Sequence, residues 1–159
     1  MYEITQADHA PTEAVAKWIA TFDVASAPAD ARDKLNLVLL DTLGQHLDCT
    51  LKQLREAMFI GYEVAGHMGV ATDNNRLLDR NFHLSGVITV FGSTAAAARL
   101  LGLTPEQIYH ALGLAASQAA GTLAWHTETH HMSKSIQCGG ASRNGVTAAI
   151  LAQQGYLGP

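Results

Sequence analysis

Apolar residues recur with helical spacing near the start of the chain. After Pro11 the large apolar residues fall at i, i+3, i+4 and i+7, and they are Val15, Trp18, Ile19 and Phe22. This spacing places them on one face of a helix that we expect to end near Ala25. Pro28 and Asp30 open a second segment of the same period, with apolar residues Leu35, Val38, Leu39, Leu43 and Leu47. A second helix is therefore predicted up to Asp48.

A capping box marks the start of the third predicted helix. Thr50 precedes Gln53 by three residues, and the apolar residues that follow share one face: Leu51, Leu54, Met58, Phe59 and Tyr62. We expect this helix to run to about Met68. The segment Gly69 to Phe82 contains short polar side chains that compete for backbone hydrogen bonds. It is predicted to be a loop with a helical turn at Arg76 to Asp79.

Small residues dominate the segment from Ser85 to Leu101, which could form a strand or a helix. Its first part is β-branched, whereas the run Ala95 to Ala98 has the highest helix propensity and no partner strand is evident elsewhere. We therefore predict a helix that Gly102 closes. Thr104 and Pro105 start the next helix, whose apolar side holds Ile108, Leu112, Ala115 and Ala119.

The remaining chain divides into a polar segment and a last helix. We expect Trp125 to Gln137 to be irregular, because histidines and charged residues crowd it. Gly139 and Gly140 are expected to introduce a helix that runs to Gln154, with Gly155 ending it. Since almost every element is a helix, the sequence predicts an all-α fold, a helical bundle in which the whole chain forms a single domain.

The amino-acid composition favours another protein chain over nucleic acid as a partner. Hydrophobic residues make up 48% of the chain and charged residues 15%, which is apolar for a monomer and favours contact with another chain. The formal charge of -4 gives no basic footprint, so nucleic acid is not an expected partner. Polar residues break the apolar runs well before the roughly 18 to 20 residues that span a bilayer, and no membrane segment is predicted.

The cysteines and the first residues of the chain indicate the cellular compartment in which the protein is expected. Cys49 and Cys138 make no disulfide framework, and neither has the neighbouring histidine and aspartate pattern of a nucleophile. The first residues lack the basic and apolar regions of a signal peptide. We therefore expect a cytoplasmic protein.

One histidine-rich stretch suggests metal chemistry from its residues alone. His126, Glu128 and His130 lie on one side if the segment is extended, and the two histidines share a side if it is helical. Either arrangement could hold a divalent metal, but no fourth ligand of a full zinc signature is defined. The alternative is a solvated polar loop without a metal.

Eight short motifs occur along the chain in a recognisable order. They are Leu39–Gly44 (LLDTLG), Gly61–Ala65 (GYEVA), Asn81–Gly86 (NFHLSG), Phe91–Gly92, Leu101–Gln107 (LGLTPEQ), Ala111–Ala115 (ALGLA), Lys134 with Gly140–Gly145 (GASRNG), and Gly155–Pro159 (GYLGP). This set resembles the MmgE/PrpD family, which includes 2-methylcitrate dehydratase and cis-aconitate decarboxylase. The resemblance covers nearly the whole chain.

The resemblance implies a lyase that acts on a small di- or tricarboxylic acid. Such reactions remove a proton, or carbon dioxide, next to a carboxylate, and they need a proton-transfer group and a cation. By resemblance His83 would be the catalytic imidazole, and Lys134 would be a catalytic cation that also anchors a substrate carboxylate. The alternative readings are a helix-cap neighbour for His83 and a solvated loop lysine for Lys134. We expect no cofactor, and the resemblance implies a homodimer formed through the helical domain.

Two further residues are candidates for substrate binding. Arg143 and Asn144 are expected at the start of the last helix, where the helix dipole and a guanidinium could bind an anion. Helix capping and surface charge are the alternative roles.

The chain also departs from the family pattern. Family members have a long stretch, including an Asp-Asp-Thr-His active-site segment, at a place where only about fifteen residues separate Gly44 from Gly61 here. They also continue into a lid domain beyond the position of Pro159. We therefore expect a shortened form. One alternative to a solvated loop is that the imidazoles of the histidine-rich stretch replace lost proton-transfer groups beside Lys134. A catalytically silent oligomeric scaffold is the alternative function.

Overall fold

A computed structural model describes residues 10–23, 49–130 and 132–159. Within these ranges the elements are α1 (Ala10–Thr21), α2 (Leu51–Ala71), α3 (Asn74–Asp79), α4 (Leu84–Leu100), α5 (Pro105–Ala116), a 3-10 helix (Leu123–Thr127) and α6 (Met132–Gln153). The described ranges contain no strand, only an isolated bridge between Phe82 and Thr122. The predicted all-α fold is thereby confirmed. The predicted helix from Pro28 to Asp48 lies outside the described residues, as does the LLDTLG motif.

Local signals set the starts of α2 and α5 as predicted. At the start of α2 the amide of Gln53 donates to the Thr50 hydroxyl at 3.3 Å, and the Thr50 amide donates to the Gln53 side-chain oxygen at 2.8 Å. Thr104 and Gln107 form a second capping box at the start of α5, where Pro105 occupies the first turn. These bonds satisfy amides that have no partner within the helix.

Glycines end two helices as predicted. Gly102 and Gly155 adopt φ values of +64° and +87°, in the left-handed region that glycine enters without a steric penalty. After each glycine, the amide of the next residue donates to the carbonyl five positions earlier, at 3.0 Å and 3.1 Å. This is the Schellman arrangement, which gives the last carbonyls of a helix their partners.

The first helix is shorter than predicted because a distant arginine caps it. It ends at Thr21, and the guanidinium of Arg99 on α4 donates to the carbonyl oxygens of Ala20, at 2.5 Å, and of Phe22, at 3.1 Å. The Phe22 ring then stacks on Phe59 with centroids 5.3 Å apart. The apolar spacing alone could not show this tertiary cap.

The core lies where α4 packs between its neighbours. Ile19, Ile60 and Ile108, from α1, α2 and α5, are fully buried together with the alanine face of α4. A Cβ atom on Gly92 of α4 would lie 2.6 Å from the carbonyl oxygen of Gly61 on α2, so the two helices cross at backbone contact. The segment from Ser85 is thus a helix, as predicted, and its small residues serve close helix packing.

The last helix begins earlier than predicted. It starts at Met132, not after Gly140, so the second half of the predicted irregular segment is helical. The Glu128 carboxylate accepts a hydrogen bond from the Ser133 amide at 3.0 Å and caps the first turn. Gly139 and Gly140 both lie inside α6, so neither glycine marks a boundary.

No helix in the described part of the chain is long and apolar enough to cross a membrane.

Candidate functional site around Trp125

His83 is positioned by the end of α3. Asn81 adopts φ +60°, a left-handed conformation that asparagine tolerates better than most residues, and the amide of Phe82 donates to the Leu77 carbonyl at 2.9 Å. The chain therefore turns sharply after α3. His83 follows at the N-cap of α4 with its side chain buried.

A short antiparallel pairing brings this turn to the segment before the 3-10 helix. The amide of His83 donates to the Gly121 carbonyl at 3.2 Å, and the amide of Leu123 donates to the Asn81 carbonyl at 2.9 Å. Two segments that are far apart in sequence are thus held at backbone distance. The 3-10 helix that follows carries Trp125 over the His83 ring.

The indole of Trp125 contacts both residues predicted to be catalytic. The ring centroids of His83 and Trp125 are 5.4 Å apart in an edge-to-face arrangement, and the Lys134 Nζ lies 4.4 Å from the indole centroid. The quadrupole of an aromatic ring attracts a cation that lies over its face. An imidazole and an ammonium group thus meet on one indole, with the imidazole buried and the ammonium exposed.

Gln137 completes the cluster from α6. It lies three residues after Lys134, on the same side of the helix. Its side-chain oxygen is 2.7 Å from Nδ1 of His83, and its amide nitrogen donates to the Thr122 carbonyl at 2.9 Å. We name the group of His83, Trp125, Lys134 and Gln137 the indole site.

The histidine-rich stretch contributes one more ring. The His126 and Trp125 centroids are 4.0 Å apart, with the rings nearly perpendicular. In the described residues, which leave out His131, no three His, Cys, Asp or Glu side chains come together in a group that could hold a metal ion. The structure therefore does not gather His126, Glu128 and His130 into a ligand set, and Glu128 caps α6 instead.

Arg143 and Asn144 do not lie at the start of a helix, so that prediction was wrong. They are in the middle of α6, 10 or more residues after Met132, where the dipole of the N-terminal turn no longer acts. The side-chain nitrogen Nδ2 of Asn144 donates to the backbone carbonyl of Gln118 at 3.3 Å, and Arg143 is exposed. With a rise of about 1.5 Å per residue, they stand roughly 14 to 15 Å along α6 from Lys134. Their part in substrate binding stays a prediction.

Sequence reasoning missed two members of the indole site. Trp125 entered the prediction only as the first residue of an irregular segment, and Gln137 only as its last. A tryptophan beside histidines and a lysine was the available signal, since indoles pair readily with cations. Cys49 and Cys138, predicted to be ordinary residues, are both free and partly buried.

Comparison with known proteins establishes the family. A family model described as the MmgE/PrpD N-terminal domain matches residues 44–159, well over half of the chain. The chain belongs to the MmgE/PrpD family.

Several curated proteins are similar to this MmgE/PrpD chain. A cis-aconitate decarboxylase-like protein of Aspergillus oryzae is 43% identical over 105 residues, which cover 64% of this chain and 21% of that protein. The cis-aconitate decarboxylase of Aspergillus terreus is 35% identical over 100 residues (63% and 20%), and the 2-methylcitrate dehydratase of Escherichia coli is 32% identical over 111 residues (69% and 22%). The chain thus matches about a fifth of the length of each of these MmgE/PrpD relatives.

Proposed function

We propose that the indole site binds a small di- or tricarboxylic acid and takes part in a lyase reaction on it, either dehydration or decarboxylation next to a carboxylate. The observation that carries this proposal is the contact of His83 and Lys134 with the same indole. The similarity to proteins named cis-aconitate decarboxylase and 2-methylcitrate dehydratase supports the substrate class.

The two groups suit different tasks in such a reaction. The Lys134 ammonium is exposed, and it sits in the first turn of α6, where the helix dipole also favours an anion. It would hold a substrate carboxylate and stabilise the negative charge that develops on its oxygens. The buried His83 imidazole would transfer the proton, a role that is typically worth about 10²- to 10⁴-fold in rate.

The proton balance differs between the two reactions. In dehydration, the imidazole would take a proton from the carbon next to the carboxylate, and the imidazolium would pass that proton to the departing hydroxyl group, which leaves as water. In decarboxylation, the electron pair of the broken carbon–carbon bond would stay on carbon, and an imidazolium would return a proton to it.

Replacing Lys134 with methionine is the direct test of the proposal. Methionine keeps the length and apolar stem of the side chain but removes the charge. A hydrogen bond to a charged group contributes about 1.5 to 3 kcal/mol, so we expect the affinity for cis-aconitate or citrate to fall about 10- to 100-fold. Isothermal titration calorimetry measures this change. Lys17→Met, at an exposed lysine of α1, is the matched control and should leave the affinity unchanged.

Two results would count against acid binding at this site. One is the absence of saturable heat when either acid is titrated into the unmodified chain. The other is an unchanged affinity in Lys134→Met.

An exposed apolar stripe on α6 supports a second proposal, that the chain assembles as a homodimer and can act as a scaffold whether or not it is catalytic. At 100° per residue, the exposed residues of the stripe fall within a narrow sector on the side opposite the buried alanines: Met132, Ile136, Val146 and Ile150. Met132 and Ile136 are 73% and 72% exposed. Gly139 and the exposed Arg143 lie on the same side between the two apolar pairs, so this surface combines apolar residues with a guanidinium, a composition typical of contacts between chains.

The double variant Ile136→Glu/Ile150→Glu tests this surface. We expect the unmodified chain to have the mass of a dimer by light scattering at micromolar concentration, and the variant to have the mass of a monomer, because paired copies would bring like charges together without water. The control is Tyr62→Glu/Val70→Glu, which adds the same two negative charges at exposed positions of α2. A monomeric mass for the unmodified chain would overturn the proposal.

A further inference from the structure

The hydrogen bonds of Gln137 have a fixed direction. Its side chain bridges the Thr122 carbonyl, 2.9 Å from Nε2, and the Nδ1 of His83, 2.7 Å from Oε1. A backbone carbonyl can only accept a hydrogen bond, so the NH₂ group of Gln137 must face Thr122. The carbonyl oxygen of the same amide then faces the imidazole.

This direction decides which ring nitrogen of His83 carries a proton. An amide oxygen accepts and cannot donate, so a short contact with it requires a hydrogen on Nδ1. The reverse amide orientation would let the NH₂ group donate to an unprotonated Nδ1, but it would place two acceptor oxygens against each other at Thr122. Because the His83 side chain is buried, a lost hydrogen bond is not readily replaced by water.

We propose that Gln137 is a positioning residue that holds neutral His83 in the tautomer protonated on Nδ1, with the lone pair on Nε2. The hydrogen bond made by one ring nitrogen sets the state of the other. Nε2 is therefore the atom through which His83 accepts a proton, and the Nδ1 edge has only a structural role. The assignment of the tautomer stands on the hydrogen bonds, and only the use of Nε2 in a reaction rests on the proposed function.

Nitrogen NMR of the histidine rings tests this inference without any substrate. In the chain labelled with ¹⁵N-histidine, at a pH where the ring is neutral, His83 should show a protonated Nδ1 and an unprotonated Nε2. The His83→Phe variant assigns the signals by their disappearance. Calorimetry of acid binding is a separate measurement. The tautomer of His83 can therefore be determined even if the chain does not bind an acid.

Variants of Gln137 separate positioning from mere packing. In Gln137→Met, which keeps the bulk and removes the acceptor, we expect the Nδ1-protonated form to cease to be the dominant tautomer. Gln137→Glu loses the donor to Thr122 but presents an ionised oxygen to Nδ1, so, relative to Gln137→Met, it should restore protonation on Nδ1. Gln153→Met, at an exposed position near the end of α6, should leave the His83 signals unchanged.

Two outcomes would overturn the inference. One is a dominant Nε2-protonated ring in the unmodified chain, a result that decides the question even if a variant does not fold. The other is an unaltered tautomer in a folded Gln137→Met variant.

Discussion

Replacing Trp125 with alanine is expected to weaken the binding of cis-aconitate or citrate by about 100-fold. The indole contacts both His83 and Lys134, so its loss removes the support of two groups that would act on one acid. If each contributes about 1.4 kcal/mol, a tenfold change apiece, the two losses together reach this magnitude. Calorimetric titration of the folded variant measures the effect.

Two further variants test whether the indole supports acid binding through its contacts with His83 and Lys134. Trp125→Phe keeps an aromatic face for the ammonium and should recover part of the affinity. Trp18→Ala removes the other tryptophan, which packs on Phe22 at 4.9 Å, and should lower stability without altering acid affinity. An affinity for Trp125→Ala within about threefold of the unmodified value, less than 1 kcal/mol, would refute this role for the indole.

Replacing Gly145 with valine is expected to have the largest effect on stability. Gly145 is buried where α6 meets α4, and a Cβ atom there would clash with the Ser93 Oγ and lie 2.6 Å from the Val90 carbonyl oxygen. The backbone of α4 would have to move, and overpacking of this kind costs about 1 to 3 kcal/mol or more. In a chain of this size, the upper figure corresponds to a fall in melting temperature of roughly 6 to 12 °C.

Gly139→Val is the matched control for this stability prediction. It makes the same change in the same helix at an exposed position where a Cβ atom would meet nothing within 4 Å. Its melting temperature, followed by circular dichroism, should stay close to that of the unmodified chain. Equal melting temperatures for the two variants would show that α4 and α6 do not approach each other at Gly145.

The parts of the fold that the sequence predicted correctly depend on short-range signals. A threonine three residues before a glutamine predicted the start of α2, and Gly102 and Gly155 predicted two helix ends, because these caps involve only neighbouring residues. The start of α6 was missed for a related reason. Adjacent glycines at 139 and 140 weaken helix propensity, whereas the actual cap is the side chain of Glu128, several residues before Ser133.

The candidate site could be predicted only in part, because its contacts are tertiary. His83 and Lys134 were identified through motifs, without any indication of how close they lie. Gln137 is 54 positions from the His83 whose Nδ1 it contacts, and no periodicity within one helix encodes such a pair. The capping of α1 by Arg99, 77 positions from Phe22, escaped prediction in the same way.

The most direct test of the account is an NMR titration of the chain with cis-aconitate that follows three side-chain signals together: the His83 ring, the Trp125 indole N–H and the Lys134 ammonium. If the indole site is one pocket for a carboxylic acid, all three signals should shift and saturate at the same acid concentration. Signals of His83 and Lys134 that stay unchanged, or that saturate at different concentrations, would contradict the central claim that the two groups share one ligand.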